Sequence, residues 1–380
     1  MKILHISNDF LNSRVHSNLY KQIDNYGFEQ VIFCPLRNKN KIDINILRFD
    51  NSNSKIIYSR VISNFHRIFF RKKINFLYSD LIKNINPNEI DLQHATTLFS
   101  DGAIAYKLFL KYNIPYVVTV RNTDVNLFLN LRPDLYLIAK RILVNASNII
   151  FISISLRKLF FKNFYFKKIE NELSNKIKVI PNGIDDYWLK NVTSPRSENK
   201  LRFLFIGKFD KNKNVLNLIK ALNFLREKHD DIELNLVGGS GSNHKKILTL
   251  ITKNSWITYH GKINDKQKMK NIFKQNDFFL MPSKFETFGL VYIEALSQGL
   301  PILYTENQGV DGLFNTSVGL ATNPNESKNI VKSIEKLIFN SQNYKENIIN
   351  LNFNEFSWKS ILENHYLKLY DRSRHLTSIQ

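Results

Sequence analysis

The chain of 380 residues contains very little cysteine and no long apolar run. Cys34 is the single cysteine, so neither an internal disulfide nor a cysteine cluster for a metal can form. The apolar stretch at residues 1–7 is too short for the core of a signal peptide, and no run approaches the roughly 18 residues of a membrane span. These shortages favour a cytoplasmic protein.

Acidic residues are also scarce relative to basic ones. Lysine and arginine number 54, aspartate and glutamate 33, and the formal net charge is +21. Such an excess favours anionic partners, among which nucleic acid, acidic lipid and phosphorylated substrates all qualify. A chain that is rich in asparagine, isoleucine and lysine throughout would show the same excess without a functional cause. Charge alone therefore leaves the class of partner open.

The composition is that of a folded globular protein, with 43% hydrophobic and 23% charged residues. This length predicts two domains of roughly 150 to 200 residues each. In the second half, short apolar runs alternate with stretches of helical period. They predict strands at 201–206, 232–237, 256–260, 278–282 and 301–305, and helices at 215–225, 245–251, 265–273 and 289–297.

The first half shows the same alternation less clearly. It predicts strands at 2–7, 30–34, 90–94, 116–120, 148–153 and 178–180, and only an amphipathic helix at 61–81 between Pro35 and Pro87. Both halves therefore predict an α/β fold with a parallel, doubly wound sheet. We place the domains at 1–192 and 201–355, with a polar linker at 193–200. A C-terminal helix and tail at 356–380 is expected to pack back on the first domain.

Two loops of the second half carry residues suited to phosphate chemistry. The first, GKFDKNK at 207–213, follows a strand, and Lys208 and Lys213 could both approach a phosphate beside the flexible Gly207. A solvated basic loop is the simpler interpretation of this segment alone. The second loop precedes a helix expected to start near Phe288, whose free amides and dipole suit an anion.

Two glutamates flank this expected phosphate site, Glu286 before the helix and Glu294 within it. A nucleotide sugar places hexose, diphosphate, ribose and base in a line, so one carboxylate could accept hexose hydroxyls and the other the ribose diol. Each glutamate alone could be an ordinary surface carboxylate. A third segment, VIPNGID at 179–185, ends a strand in an Asn-Gly turn that either shapes a cleft edge or is a plain turn.

These segments resemble the retaining glycosyltransferases of family four. The matching pieces are VIPNGID at 179–185, GKFDKNK at 207–213 and PSKFETFGLVYIEALSQGLP at 282–301. The resemblance implies a GT-B fold of two facing Rossmann-like domains and transfer of a hexose-type sugar, with retention, from a nucleotide sugar such as a UDP- or GDP-sugar. It implies a glycan or lipid-linked acceptor and a role in surface polysaccharide or glycoconjugate synthesis.

The resemblance also assigns roles to residues. The basic loop would bind the diphosphate, Glu286 would approach the donor sugar, and Glu294 would hold the ribose. The residues expected in catalysis are Glu286, Lys208, Lys213 and Asp124. Those expected to bind the donor are Gly207, Lys208, Lys213, Glu286, Phe288, Gly289, Leu290 and Glu294. Those expected on the acceptor side or in the cleft are Asn8, Arg14, His94, Arg121, Asn182 and Gly183.

The sequence departs from the family pattern at several positions. Lys208 replaces the usual arginine, Asn214 replaces a glycine, and the glycine pair after the first strand gives way to residues 8–14. Arg121 stands near a usual histidine, while Asp124 keeps a familiar place. There is no Asp-x-Asp motif, so we expect no metal or other cofactor, and Lys208, Lys213 and the amides near Gly289 would stabilise the leaving diphosphate.

Other functions remain open at this point. A nicotinamide dehydrogenase would need a GxGxxG turn, which 238–241 only approximates. A nucleic-acid-binding protein rests on charge alone, without a motif, and we expect no nucleic-acid partner. A GT-B epimerase acting on a nucleotide sugar is a nearer alternative.

Two segments interleave basic and aromatic residues, which suits an anionic membrane surface and a peripheral location on the inner face of the cell membrane. The alternative is that the aromatics belong to the core. The first segment combines Arg60, Arg67, Arg71, Lys72 and Lys73 with Val61, Ile62, Phe65, Ile68, Phe69 and Phe70. The second combines Arg157, Lys158, Lys162, Lys167 and Lys168 with Phe160, Phe161, Phe164, Tyr165 and Phe166.

Overall fold

The structure is a computed structural model that describes residues 1–39, 42, 47–197 and 200–375. The chain divides into two compact units. The first consists of Met1–Ile152, Leu156–Gly183 and the chain from Trp358 onward. The second consists of Ser153–Ser155 and Ile184–Ser357. Among the described residues, no helix is both long enough and apolar enough to cross a membrane.

The first unit contains a parallel sheet with the strand order β3-β2-β1-β4-β5-β6-β7 in the described part of the chain. Its strands are β1 (Lys2–Ile6), β2 (Glu29–Cys34), β3 (Lys55–Tyr58), β4 (Leu92–Ala95), β5 (Tyr116–Val120), β6 (Asn148–Phe151) and β7 (Ile177–Val179). All paired strands are parallel. The strand order reverses between β1 and β4, which are neighbours at the centre of the sheet. The carboxyl ends of the strands at such a point are where open sheets of this kind bind ligands.

Helices connect these strands. They are α1 (Arg14–Asn25), α2 (Phe65–Ile68), α3 (Phe70–Ile82), α4 (Ser100–Tyr112), α5 (Leu129–Leu131), α6 (Tyr136–Asn145), α7 (Ile154–Phe161), α8 (Phe164–Lys167) and α9 (Glu170–Leu173). A π-helical turn at Asp124–Phe128 leads into α5. The predicted helix at 61–81 is in fact interrupted at Phe69, whose φ of −94° and ψ of 83° are not helical.

The second unit has its own parallel sheet, with the order β10-β9-β8-β11-β12-β13 among its described residues. Its strands are β8 (Arg202–Lys208), β9 (Glu233–Gly239), β10 (Ile257–Tyr259), β11 (Phe278–Leu280), β12 (Ile302–Thr305) and β13 (Gly319–Thr322). Its helices are α10 (Asp186–Lys190), α11 (Val215–Arg226), α12 (His244–Thr252), α13 (Lys266–Gln275), α14 (Leu290–Ser297), α15 (Ser327–Phe339) and α16 (Ser341–Ile349). The predicted α/β fold with two doubly wound sheets is thus confirmed.

The polar stretch predicted as a linker lies within the second unit as far as it is described, and Glu198 and Asn199 lie outside the described residues. The Thr193 amide donates to the Ser297 carbonyl at 2.9 Å. The Lys345 ammonium donates to the Arg196 carbonyl at 2.5 Å. This polar stretch is therefore held by hydrogen bonds to α14 and α16. The boundary between the two units lies earlier in the chain, after Gly183.

The C-terminal helical segment completes the core of the first unit, as predicted. It runs through α17 (Trp358–Ile361), a π-helical turn at Leu362–Tyr366 and α18 (Leu367–His375). Its buried stripe packs in one cluster with α1 and the central strands; the stripe residues are Trp358, Ile361, Leu362, Tyr366, Leu369 and Tyr370. Removal of these side chains from water is the force that returns the end of the chain to the first unit.

Gly183 is fixed by the same packing. Its φ does not lie in the left-handed region, so the Asn182-Gly183 pair is not a turn that requires glycine for its backbone angles. A Cβ at Gly183 would instead lie 2.8 Å from the Trp358 ring, closer than side chains normally approach. The glycine is therefore needed for space.

We expect Gly183→Ala to destabilise the protein by about 1 to 3 kcal/mol, because a methyl group would be forced against the Trp358 indole. Unfolding by urea, followed by tryptophan fluorescence, measures this loss. In a double-mutant cycle, Trp358→Leu should restore space, so the double variant should be more stable than the sum of the two single losses predicts. Additive losses would contradict the steric explanation.

Candidate active site

The basic loop at 207–213 starts inside β8, which extends to Lys208. The Lys208 side chain is exposed, whereas Phe209 beside it is buried. The Phe209 amide donates to the Ser240 carbonyl at 2.8 Å, and the Asn243 amide donates to the Phe209 carbonyl at 2.8 Å. The loop is thus held by the glycine-containing turn that follows β9.

The glycines of that turn have a structural role. Gly238 and Gly241 have φ of +121° and +94°. A Cβ at Gly238 would lie 2.0 Å from the Gly207 carbonyl oxygen, and one at Gly241 would lie 2.8 Å from the Phe209 carbonyl oxygen. The glycine-rich segment at 238–241 approximates a dinucleotide-binding turn in sequence. Here its glycines allow the backbone of β9 and of the following turn to pack closely against β8 and the basic loop.

Asn214 ends the basic loop in the left-handed region, with φ of 60° and ψ of 26°. This conformation explains why a glycine would also fit here, since glycine and asparagine tolerate it best. Its side-chain amide donates to the carbonyls of Pro282 and Pro324, at 3.1 and 2.8 Å. Asparagine therefore adds two buried hydrogen bonds that glycine lacks, and they join the start of α11 to the end of β11.

Asn212 joins the basic loop to the loop that contains Glu286. Its carbonyl accepts from the Lys284 amide at 2.7 Å. Its side chain both donates to the Phe285 carbonyl and accepts from the Phe285 amide, each at 3.0 Å. Three hydrogen bonds from one residue fix the two loops side by side.

The structure brings Lys213 and Glu286 into direct contact. The Lys213 ammonium lies 2.6 Å from the Glu286 carboxylate, and both side chains are largely covered. The other carboxylate oxygen accepts from the Thr287 amide at 3.1 Å, and the Glu286 amide donates to the Gln308 side chain at 2.6 Å. The ammonium thus has a carboxylate partner on the neighbouring loop.

The helix after this loop begins at Leu290, two residues later than expected, and Gly289 precedes it with φ of +77°. A Cβ at Gly289 would lie 2.5 Å from the Tyr292 ring and 3.2 Å from the Glu286 Cγ. Glycine thus brings the start of α14 close to Glu286, while Phe288 is buried beneath it. The Tyr292 amide donates to the Gly289 carbonyl at 2.9 Å, so the amides of Leu290 and Val291 are the ones at the start of α14 that can bind an anion.

Glu294 lies on the second turn of α14, in different surroundings from Glu286. Burial raises the pKa of the Glu294 carboxyl to about 7, with a smaller contribution from the negative charge of Asp185, while a hydrogen bond from the Trp188 indole opposes the rise. Asp185 is itself paired with the Lys266 ammonium at 2.6 Å. The VIPNGID segment therefore contributes its last residue to the neighbourhood of Glu294.

In the first unit, Asp124 acts on the backbone. Its carboxylate is fully buried and accepts from the amides of Leu98, Phe99 and Arg121, at 3.0, 3.2 and 2.9 Å. Burial raises the pKa of Asp124 to about 6, although the three hydrogen bonds favour the charged form. This carboxylate positions the start of α4 against the end of β5, and it also lines a pocket of the first unit. Its predicted catalytic role stays a prediction.

The other expected acceptor-side residues are scattered in burial. Arg121 is partly buried, and its Nε donates to the Thr96 carbonyl at 3.1 Å. Arg14 is exposed at the start of α1, Asn182 is buried, and the Asn8 amide donates to the Asp101 carboxylate at 3.3 Å. Asn8 and Arg121 are linked through Thr96 and Asp101, because the Thr96 hydroxyl donates to the same Asp101 carboxylate at 2.9 Å. Their role towards an acceptor stays a prediction.

His94 lies in the core of the first unit, contrary to the expectation that it faces an acceptor. Its Nδ1 lies 2.9 Å from the Tyr370 hydroxyl and its Nε2 lies 3.0 Å from the Thr119 hydroxyl. Burial lowers the pKa of His94 to about 3, so the ring is neutral at ordinary pH. Its two hydrogen bonds fasten the C-terminal helix to β4 and β5.

A pocket of about 540 Å³ opens in the first unit near Asn8 and Asp124. The residues that line it are Asn8, Arg37, Ile62, Asn64, Lys73, Thr97, Ser100, Thr123, Asp124, Leu127 and Phe128. The Lys73 ammonium donates to the Ser100 hydroxyl at 2.6 Å, at the start of α4. Burial lowers the pKa of Lys73 to about 8, and Arg37 adds repulsion. A polar, basic pocket of this volume can hold a sugar-sized anion.

Sequence reasoning missed Lys73, Asn212 and Gln308 at these sites. Gln308 donates to the Lys284 carbonyl at 2.8 Å and accepts from the Glu286 amide, so it supports the glutamate loop. Nothing in the sequence links Gln308 to a loop some twenty residues earlier. Lys73 was placed in a basic segment, but only the fold shows that it lines the pocket, while Arg71 and Lys72 are exposed.

Two family models match consecutive parts of the chain. Residues 13–187 match the model described as Glycosyltransferase Family 4, and residues 188–352 match Glycosyl transferases group 1. An uncharacterised glycosyltransferase of Methanocaldococcus jannaschii is 28% identical over 84% of this chain and 86% of its own length. A putative teichuronic acid biosynthesis glycosyltransferase of Bacillus subtilis is 23% identical over 68% of this chain and 64% of its own length.

The fold is also that of known structures. The sucrose-phosphate synthase of Thermosynechococcus elongatus superposes with a TM-score of 0.72 at 17% identity, covering 98% of this chain and 99% of that protein. At this identity the likeness concerns the fold alone.

The raised pKa of Glu294 predicts that its ionisation costs stability. Because the folded state holds the proton more tightly than the unfolded state, the cost appears as the pH rises from about 4.5 to about 7. We expect Glu294→Gln to be more stable than the wild type at pH ~8 by up to about 3 kcal/mol, and the difference to shrink at pH ~5. Urea unfolding at the two pH values measures it.

Glu227→Gln, which changes an exposed carboxylate after α11, is the matched control and should show a much smaller difference. If the stability difference between Glu294→Gln and the wild type does not change with pH, then the pKa of Glu294 is not raised in the folded protein.

Proposed function

We propose that this chain, a glycosyltransferase with the GT-B fold, transfers a hexose-type sugar from a nucleoside diphosphate sugar, such as a UDP- or GDP-sugar, with retention of configuration. The proposed acceptor is a glycan or a lipid-linked glycan, in the synthesis of a surface polysaccharide or glycoconjugate. The teichuronic acid enzyme among its relatives supports that class of product.

The contact between Lys213 and Glu286 carries this proposal. A cation and a carboxylate at 2.6 Å stand directly before the first amides of α14, on loops that Asn212 ties together. A nucleotide sugar needs both kinds of group at one point, because its diphosphate is anionic and the adjoining hexose carries hydroxyls. The cation would bind the phosphate, and the carboxylate would accept hydrogen bonds from the sugar.

In the proposed reaction the bond between the sugar C1 and the diphosphate oxygen breaks, and the charge that develops on the diphosphate is stabilised by Lys213, the exposed Lys208 and the first amides of α14. The acceptor hydroxyl attacks C1 on the same face, and its proton passes to the leaving phosphate oxygen. This route needs no separate base on the protein and no metal.

Glu294 is proposed to bind the ribose diol of the donor. Its carboxylate is half-buried, and its charged form is disfavoured where it lies. A ribose that donates two hydroxyl hydrogens would stabilise that charged form, so ligand binding and ionisation of Glu294 would support each other. The acceptor is proposed to enter the pocket of the first unit, where Asn8, Lys73 and Arg37 can bind its polar groups.

Transfer itself is tested with radiolabelled UDP- and GDP-sugars, incubated with and without glycan and lipid-linked acceptors. We expect label in an acceptor product. Conversion of the labelled sugar without any acceptor would indicate an epimerase instead, and neither product would contradict the proposed activity.

We expect Lys213→Ala to weaken the binding of the matching nucleoside diphosphate by about 1.5 to 3 kcal/mol, since one charge-assisted contact to phosphate is lost. Isothermal titration calorimetry with UDP and GDP measures this. Lys211→Ala, an exposed lysine of the same loop, is the control and should change affinity little. Equal affinities of wild type and Lys213→Ala would remove Lys213 from the site.

Replacement of Glu286 and of Glu294 by glutamine should change turnover and diphosphate affinity in different ways. Glu286→Gln should lower turnover, because its contact with the hexose is felt as the sugar departs. It should keep or improve affinity for the free diphosphate, since Lys213 would lose its carboxylate partner. Glu294→Gln should weaken the free diphosphate, because the ribose belongs to it.

Diphosphate affinity and turnover are measured for both variants after each is shown to melt like the wild type or higher. Identical patterns for the two variants would contradict the proposed placement of the donor. Loss of diphosphate affinity in Glu286→Gln alone would reverse the two roles.

A further inference from the structure

The two basic and aromatic segments of the sequence have different positions in the fold. In the segment at 157–168, Phe160, Phe161 and Phe166 are buried and form part of the core. In the segment at 60–73, Phe65, Ile68 and Phe69 are exposed, and Ile68 has 70% of its surface accessible. The core explanation therefore holds for most aromatics of the second segment, where Phe164 is the exposed exception. In the first segment it holds for Phe70 and fails for Phe65 and Phe69.

The interruption of the helix at Phe69 accounts for this exposure. α2 has only four residues, and the non-helical Phe69 separates it from α3. The Phe65 and Phe69 rings contact each other with centroids 4.4 Å apart. The Lys72 ammonium lies over both rings, 4.9 and 5.4 Å from their centroids. Phe65 and Phe69 thus form an exposed apolar cluster at α2, with the Lys72 ammonium placed over their rings.

A second exposed apolar pair lies across the pocket of the first unit. Leu127 and Leu131 are exposed on the helical segment after β5. Leu127 lines the pocket together with Ile62, which precedes α2. The Phe70 ring at the start of α3 packs against Phe128, with centroids 6.2 Å apart. Leu127 lines the pocket, and the other exposed apolar residues lie within a few residues along the chain of Ile62, Asn64 or Phe128, which also line it. We call this set the pocket rim: Val61, Phe65, Ile68, Phe69, Leu127 and Leu131.

The stretch of chain that carries Val61, Phe65, Ile68 and Phe69 of the pocket rim is basic. Residues 61–79 contain no aspartate or glutamate, and Arg71 and Lys72 are exposed. Asp80 is paired with Arg60 at 2.9 Å, and Asp134 is paired with Arg132 at 2.7 Å. Asp124, in the lining of the pocket, is fully buried. Exposed apolar side chains beside an excess of cations match a surface that is apolar beneath and negatively charged above.

We propose that the pocket rim, with Arg71 and Lys72, docks the protein on an anionic lipid bilayer. The apolar side chains enter the level of the lipid headgroups, while the cations contact lipid phosphates. Docking places the opening of the pocket at the bilayer surface. Resting on the proposed function, we further infer that the acceptor is lipid-linked: its polar part enters the pocket beside Lys73 and Arg37, and its tail remains in the bilayer.

The docking is tested by sedimentation of the full chain with vesicles of phosphatidylcholine, with and without phosphatidylglycerol. We expect recovery with the anionic vesicles at low salt, and a marked loss at high salt. The double variant Ile68→Ser with Phe69→Ser should reduce the partition coefficient about tenfold or more, and Arg71→Gln with Lys72→Gln should reduce it for anionic vesicles alone. These side chains are exposed, so folding should be retained, and melting curves check this.

Matched controls lie in the second unit. Phe339 is 87% exposed and Ile349 is also exposed, so Phe339→Ser with Ile349→Ser removes a similar apolar area elsewhere. Lys328→Gln with Lys332→Gln removes two exposed cations from α15. Both should bind vesicles like the wild type. Equal recovery with neutral and anionic vesicles, or equal binding of the rim variant and its control, would overturn the proposal.

This measurement involves no sugar transfer, so its outcome is independent of the proposed activity. If the protein binds vesicles but transfers no sugar, docking stands and the proposed function fails. If it transfers sugar to soluble glycans and does not bind vesicles, the reverse holds.

Discussion

The side-by-side attachment of two loops in the second unit is the constraint on which the candidate donor site depends. Asn212 supplies three hydrogen bonds between them, Asn214 anchors the end of the basic loop, and Gln308 supports the other loop from behind. These bonds hold the two loops so that Lys213 contacts Glu286. A diphosphate would then meet a cation whose position is already set, which limits the entropy lost on binding.

Much of the fold could be predicted because most of the strands are short, predominantly apolar runs, such as β5, β6 and β11. Two strands were missed for physical reasons. β3 lies at the edge of its sheet and is only half-buried, so its pattern is weak. β13 begins at Gly319, where a Cβ would lie 2.0 Å from the Ile302 carbonyl oxygen, and a strand that opens on glycine lacks the usual composition. The glycosyltransferase prediction is confirmed by the family models, whereas donor, acceptor and stereochemistry stay predictions.

The candidate site could be predicted in part. Lys213 and Glu286 were each assigned to a phosphate site from local motifs, but only the fold shows them in contact across 73 residues of sequence. His94 was misplaced because its partner Tyr370 lies 276 residues away, beyond any local pattern. The two basic and aromatic segments have similar composition, and burial by surrounding helices, which composition does not encode, separates them.

The return of the C-terminal helices to the first unit has a consequence for how the chain folds during synthesis. Residues from Trp358 onward belong to the core cluster that also contains Leu19, Tyr20 and the central strands. The ribosome therefore releases the whole second unit before the first unit can close its core. The first unit is thus synthesised first but completes its core last. A chain whose synthesis stops within α16 would expose the apolar surface that the C-terminal helices normally cover, and a chaperone could bind that surface.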